Sequence, residues 1–368
     1  MMKTTTPARS LSAEQLESLG RLLDQVRQDV LGDLGQKDAD YIRGIIRKQQ
    51  MAEILGRVLI HFSLTPVSWL IGVGLLSTAK ILENMEIGHN IMHGQYDWMN
   101  DPKLFSQTYE WDTICDGDSW RKTHNFEHHT YTNILGMDRD YGYGLLRLTN
   151  TTPWRPKHLF QFINYFFLSL LFDWGVGLHE LEVEKIRSGK TRLRDKWPFL
   201  KRFFRKARNQ VLKDYVLFPL LAGPMALKVL LGNLMANLIR NLWASTIIFC
   251  GHFTEGAQTF RKQDYENESR GMWYYRQLLG SSNFTGSRWL HIMSGHLSFQ
   301  IEHHLFPDIP AHRYREIAPR VRQICVAHGV PYNTGGFWRQ WSTVVARIWR
   351  YSLPDSLFSE PRGLPRAG

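Results

Sequence analysis

Apolar residues are bunched along this chain, with polar and basic segments between the bunches. From Val58 to Ala79, 22 residues pass without Asp, Glu, Lys or Arg, enough to cross a hydrocarbon core of ~30 Å. Pro66 interrupts this run, so residues 54 to 88 form either one long span or a tight hairpin broken there. Val216 to Cys250 is apolar over 35 residues, with only Lys228 and Arg240 charged. Its Gly223-Pro224 pair predicts two helices joined by a short loop. A third stretch, Leu159 to Leu178, is rich in Phe and carries Asp173. Ahead of these, Leu16, Leu19, Leu23, Val26 and Val30 recur at helical spacing within residues 11 to 48, and Ser12 with Gln15 makes a capping box. That pattern predicts an amphipathic helix packed on the body or lying on lipid. Residues 251 to 368 are more polar, and no repeat or low-complexity segment appears.

Charge turns these spans into a topology. The net charge is +11, which first suggests nucleic acid, but no zinc-finger or basic-zipper pattern accompanies it. Lys and Arg lie instead beside the apolar runs, as on the cytoplasmic face of a membrane protein. Between Glu180 and Gln210 there are eleven Lys or Arg against four Asp or Glu, so this loop is expected in the cytoplasm. With cytoplasmic segments on both sides, 159 to 178 cannot cross once and is expected to be re-entrant or interfacial. The three cysteines, Cys115, Cys250 and Cys325, are too scattered for a disulfide framework or a CxxC metal site and imply reduced thiols on the cytosolic side. The first ten residues hold no apolar run, which predicts no cleaved leader. The expected fold is an all-α integral membrane protein, about four transmembrane helices in two hairpins beneath a cytosolic helical cap. It divides into an N-terminal cytosolic segment (1–53), a membrane domain (54–355) and a tail (356–368).

The histidines carry the chemistry. Most of the fifteen fall into three groups: Gly88-His89-Asn90-Ile91-Met92-His93, His124-Asn125-Phe126-Glu127-His128-His129, and Gln300-Ile301-Glu302-His303-His304 with His296 ahead of it. His252 stands alone at the end of the last apolar run. His89 and His93 are i,i+4, as are His124 and His128, so each pair projects from one helical face. Positions 296, 300, 303 and 304 fall on one stripe if that segment is a continuous helix. Three stripes of imidazole can hold more than one ion, and imidazole suits iron, zinc and copper. Soluble di-iron bundles use paired Glu-x-x-His motifs. Here Glu86 with His89 is the only one, so that fold does not fit, and Glu86 is expected instead to orient His89 or a neighbour by hydrogen bonding. No blue-copper ligand set is present. His61, His158, His179, His291, His312 and His328 have no partner at ligand spacing and are expected to be structural.

The phrases Glu83 to Asn90, Asp97 to Pro102, Trp120 to His129, Ile248 to Phe253 and Gln300 to Pro307 resemble the membrane fatty acid desaturase family, in particular bacterial acyl-CoA Δ9 desaturases of the mycobacterial stearoyl-CoA type. The resemblance runs from about residue 10 to 355. It implies a cis double bond introduced into a saturated long-chain acyl group, as acyl-CoA or acyl-lipid, by two irons and molecular oxygen in the cytoplasmic membrane, with the site facing the cytoplasm. The ligands it implies are His89, His93, His124, His128, His129, His252, His303 and His304. Gln300 is a departure: animal stearoyl-CoA desaturases have a histidine ligand there, whereas front-end desaturases share the glutamine. His296 is then a candidate compensating ligand. No His-Pro-Gly-Gly haem motif occurs, so electrons are expected from a separate ferredoxin-like protein or reductase. Basic cytosolic residues are expected to grip a CoA phosphate or a lipid headgroup.

Three rival readings exist. His124-Asn125-Phe126-Glu127-His128 matches the HxxEH pattern of a zinc hydrolase, which needs one zinc and leaves the other boxes unused. A membrane hydroxylase shares the boxes and differs only in the fate of the oxygen. A metal carrier needs histidines along a transmembrane path, and apart from His61 these lie at span ends.

Overall fold

The computed structural model describes residues 11–358 except 265. The first ten residues and most of the 356–368 tail lie outside it. Its regular elements are helices, apart from one short parallel strand pair, Asn283–Thr285 with Thr334–Gly336.

Helix Ala13–Gly32 starts at Ser12, whose hydroxyl accepts from Gln15 N (3.2 Å) while the Gln15 side chain answers to Ser12 N (2.9 Å). Leu19, Leu23 and Val26 of the expected stripe are buried, with Leu16 and Val30 packed at the edge of the same core. That core also holds Tyr274, Ile301 and Tyr314, so the N-terminal helix is a wall of the cap. A second helix, Gln36–Phe62, runs unbroken through position 53. Its buried Asp38 accepts from Arg313 Nε (2.6 Å) and pairs with His312 Nε2 (2.8 Å), which ties it to the segment after the third histidine group.

At Pro66 the hairpin alternative holds. Thr65 caps the helix Pro66–Ile81 by accepting from Ser68 N (3.2 Å), and Pro66 sits where its missing N–H costs nothing. The two arms touch backbone to backbone: a Cβ on Gly56 would lie 2.7 Å from Leu76 N, and one on Gly72 2.9 Å from Ile60 N. Small residues permit this approach, as they do between membrane helices. The second hairpin is Trp197–Val211, a π turn Leu212–Leu217, the short helix Phe218–Leu221, a turn at Gly223–Met225 and the long helix Ala226–His252. Buried Asp214 binds the hairpins together, meeting Lys80 Nζ (2.7 Å) and Arg57 Nη2 (3.5 Å) from the first and Asn237 Nδ2 (3.1 Å) from its own.

The apolar runs are broken rather than straight. Pro156–Leu170 and Phe172–Leu181 meet at 87°, a bend that suits the re-entrant segment expected at 159 to 178. Among the described residues no single helix is long and apolar enough to cross a membrane by itself, so four uninterrupted spans are not seen. The reason lies in composition: Gln36–Phe62 is charged along its first half, Pro66–Ile81 gives way to a π turn, and Ala226–His252 carries Asn233, Asn237, Arg240 and Asn241. Large apolar side chains nevertheless face outward around the hairpin tips and the bent pair, including Leu64 (97% exposed), Leu220 (71%), Leu227, Ile163 and Phe167.

Removing Asp214 leaves Lys80 and Arg57 buried beside each other without their shared anion. Asp214→Ala is expected to cost about 3–5 kcal/mol, read as a lower thermal midpoint of the detergent-purified protein. Glu17→Ala, which breaks the solvent-exposed pair with Arg21 (2.7 Å), is expected to leave the midpoint unchanged.

Candidate metal centre

Local helix geometry aims the histidines. His89 follows a π turn at Leu82–Gly88, and His124 and His128 lie on another at Arg121–His128. A π turn inserts one residue into a helix and rotates everything after it, a device frequent at functional sites. His252 is the last residue of Ala226–His252, and His303 and His304 lie on Gln300–Leu305. Gly251 matters here because a Cβ on it would fall 2.8 Å from the Gln300 side chain, which lies against the helix end.

The imidazoles converge in two groups linked by a third. Ring nitrogens of His89, His93, His124 and His303 all lie within 4.8 Å of one another, as do those of His128, His252 and His304. His129 joins His303 and His304 in a third group at the same spacing, between the other two. In the second group His252 Nε2 stands 3.3 Å from His128 Nε2 and 3.1 Å from His304 Nε2.

Proton placement decides what these contacts mean. His128 Nδ1 donates to Asp138 (3.0 Å) and His124 Nδ1 to Asp140 (3.1 Å). His304 Nδ1 donates to Gln277 Oε1 (3.0 Å), whose amide nitrogen is committed to His129 O (3.1 Å). His89 Nδ1 donates to Asn90 Oδ1 (3.2 Å), with Asn90 Nδ2 committed to Glu86 O. A neutral imidazole holding its proton on Nδ1 presents a bare lone pair at Nε2. The Nε2 atoms of His93, His124, His129 and His303 are buried with no hydrogen-bond partner. Lone pairs so placed repel unless a Lewis acid lies between them, and nitrogen donors of this number and type fit two borderline cations such as iron. The partners behind them are the kind that metal-bound histidines keep.

Electrostatics agree. Burial and the neighbouring imidazoles hold His129, His303 and His304 well below the ordinary histidine pKa, so they are neutral and ready to bind. Burial also lowers His124. His128 is the exception: burial pushes it down, but the Asp138 carboxylate outweighs that and raises it.

Two auxiliary residues, His296 and Glu86, take different places from those expected. Residues 296 to 304 are not one helix: His296 has φ 55° and precedes a 3-10 turn at Leu297–Phe299, so it leaves the stripe. Its Nε2 lies 3.0 Å from Tyr41 Oη, and it belongs to none of the clustered nitrogen groups. Glu86 does not reach His89; it accepts from Tyr41 Oη (2.5 Å) and lies 3.8 Å from His296. Gln300 does point into the cluster, its Nε2 2.9 Å from His252 Nε2. Glu302 turns the other way, accepting from Asn283 Nδ2 and Tyr332 Oη (both 2.8 Å), and burial raises its pKa to about 7. The six histidines expected to be structural stay outside the nitrogen groups. Asp138, Asp140 and Gln277 escaped the sequence reading. The two acids follow the second box as Met137-Asp138-Arg139-Asp140, a signal available to anyone seeking carboxylates to orient its histidines. The zinc-hydrolase reading fails because Glu127 lies beside Arg139 (3.8 Å) rather than among the imidazoles.

A cavity leads away from the cluster. It starts at His89, His128 and His252, passes Trp120, Ile248 and Ala244, and reaches Arg240.

Residues 65–336 match the fatty acid desaturase family. The chain is 46% identical over 349 residues, 94% of its length and 82% of the relative's, to an NADPH-dependent stearoyl-CoA 9-desaturase of Mycobacterium tuberculosis. It is 26% identical over 274 residues, 72% of the chain and 75% of the relative, to an sn-1 linoleoyl-lipid 6-desaturase of Synechocystis. These relatives are named as desaturases, not hydroxylases. With most of its length matched and the three histidine groups gathered at one buried point, the chain belongs to the fatty acid desaturase family.

Proposed function

We propose that this protein is an oxygen-dependent acyl-CoA desaturase that introduces a cis double bond at the Δ9 position of a saturated long-chain acyl group. The observation that carries the reading is the convergence of buried Nε2 atoms, four of them without a hydrogen-bond partner, at the head of a largely apolar cavity. His89, His93, His124, His128, His129, His252, His303 and His304 would hold two irons. Irons held there would supply an oxygen-derived oxidant able to take one hydrogen from each of two adjacent methylenes, which no side-chain acid or base can do.

The chain's own residues handle position and protonation. Asp138 and Asp140 fix the tautomers of His128 and His124 and raise their basicity. Trp120, stacked on His124 at 4.6 Å between centroids, closes the cluster against water. The cavity wall holds one C–C bond beside the cluster, so positioning rather than acid–base work is the protein's contribution. On the surface a groove next to the second box carries Arg139, Lys185 and Lys190 among Glu127 and Glu184, and its cations suit the phosphates of CoA. The outward apolar side chains at Leu64, Leu220 and Phe167 support insertion in the cytoplasmic membrane, the basic loops and the site facing the cytoplasm. Two electrons per turnover come from a separate carrier or reductase.

His304→Ala is expected to lower iron per chain and reduce turnover below about a tenth, whereas His328→Ala stays near wild type. Asp138→Asn is expected to cost about 10–100-fold in iron affinity or activity, because the amide no longer holds the His128 proton as a carboxylate does. His296→Ala is expected to keep full iron, since His296 bonds Tyr41. Iron loss in that variant would return it to the ligand set, and full iron with normal turnover in His304→Ala would remove His304 from it. Metal analysis and mass spectrometry of the fatty acids formed by a host lacking the activity read all four.

A further inference from the structure

Five residues of the Ala226–His252 helix line the cavity: His252, Ile248, Ala244, Asn241 and Arg240. Their spacing is one helical face, so the cavity follows this helix downward from the histidines. Phe172, Asp173 and Val176 form the facing wall, and Met85 a third side. Below Arg240 the space ends. There Val229 and Ala236 interlock with Ile60, Val73 and Leu76 in a buried cluster, and none of the five lines the cavity.

The bottom is polar and hydrogen-bonded. Arg240 Nη2 donates to Asp173 Oδ2 at 2.8 Å, with the two side chains 6% and 10% exposed. Asp173 Oδ1 accepts from Ile114 N (3.2 Å), Arg240 Nε donates to Asn241 Oδ1 (3.2 Å), and Asn241 Nδ2 to Leu170 O (2.8 Å). Three separate parts of the chain are thereby locked together. The 87° bend after Leu170 is what carries Asp173 beneath the cavity.

We propose that the Asp173–Arg240 ion pair is the floor of the acyl cavity and sets the length of methyl-end tail the enzyme accepts. The proposal rests on the desaturase reading and adds a residue pair that determines specificity. Twelve residues separate His252 from Arg240, roughly 18 Å along the axis at 1.5 Å per residue. A stearoyl chain desaturated at Δ9 has nine carbons, from the tenth to the methyl end, to seat beyond the cluster, about 11 Å at roughly 1.2 Å per bond, and the His252 and Arg240 side chains occupy the remainder. An apolar floor can repack around one more methylene. This one cannot, because admitting it parts two buried charges, which costs far more than one methylene returns on burial.

The test is a competition among myristoyl-, palmitoyl-, stearoyl- and arachidoyl-CoA, using the full chain in membranes with an electron donor, with products identified by mass spectrometry. The double variant Asp173→Leu with Arg240→Leu removes both charges, leaving neither unpaired. It is expected to raise the arachidoyl-to-stearoyl rate ratio at least about tenfold, the scale on which a pocket reads single methylenes. Ala244→Phe raises the floor by one turn and is expected to move preference toward myristoyl-CoA by a similar factor. It carries the test alone if the double variant does not fold. A pair that only staples the helices would lower all rates together, so unchanged ratios in folded, iron-loaded variants overturn the proposal. Wild-type protein that forms no unsaturated product from any of the four overturns the desaturase reading and the floor with it.

Discussion

Imidazole nitrogens crowded together in a buried space, several with their protons committed to other partners, are a source of repulsion that a bound cation relieves. At the centre of this protein, the Nε2 atoms of His128, His252 and His304 meet within 3.3 Å or less of the His252 nitrogen, and four more histidines turn unpartnered nitrogens inward. Everything that holds those rings works against their dispersal. Asp138, Asp140, Asn90 and Gln277 each take the Nδ1 proton of one ring, and each is fixed by its own backbone contacts or by burial. The folded state thus carries a built-in demand for metal, and binding free energy at such a site is also folding free energy.

That demand is distributed over distant parts of the chain. The first hairpin brings His89 and His93 through a π turn, the long helix of the second brings His252 to its last residue, and the cap contributes the second and third groups. Ion pairs do the joining. Asp214 ties the two hairpins through Lys80 and Arg57, Asp38 ties the N-terminal helices to Arg313, and Asp173 ties the bent pair to Arg240. Buried pairs of this kind are weak evidence for net stability, but losing one partner is costly. They fix register where an apolar contact would allow sliding.

In the proposed membrane orientation, the cap and the hairpins divide the work between water and lipid. Basic residues crowd the segment around Lys185 to Arg208, next to the groove beside the second box, while outward apolar side chains ring the hairpin tips. A hydrocarbon substrate can thus lie along the long helix while its polar carrier stays at the surface, and the histidines sit where the two regions meet.

The sequence by itself determined which histidines cluster and the helical elements. Histidine spacing, Ser12–Gln15 capping, the break at Pro66 and the turn at Gly223-Pro224 are local signals, written within a few residues of where they act. It left His296 on the stripe, because only the φ of 55° at that position, enforced by the packing of Gly295 and the contact with Tyr41, ends the helix there. It also left Glu86 beside His89. Within one helix that spacing is adjacent, but the π turn rotates the carboxylate toward a residue 45 positions earlier. The tertiary structure alone decided which acids orient the rings, how the three groups share nitrogens, and that Asp173 lies under Arg240. Those are contacts between segments far apart in the chain, and no periodicity records which side chain will be opposite which once the helices have packed.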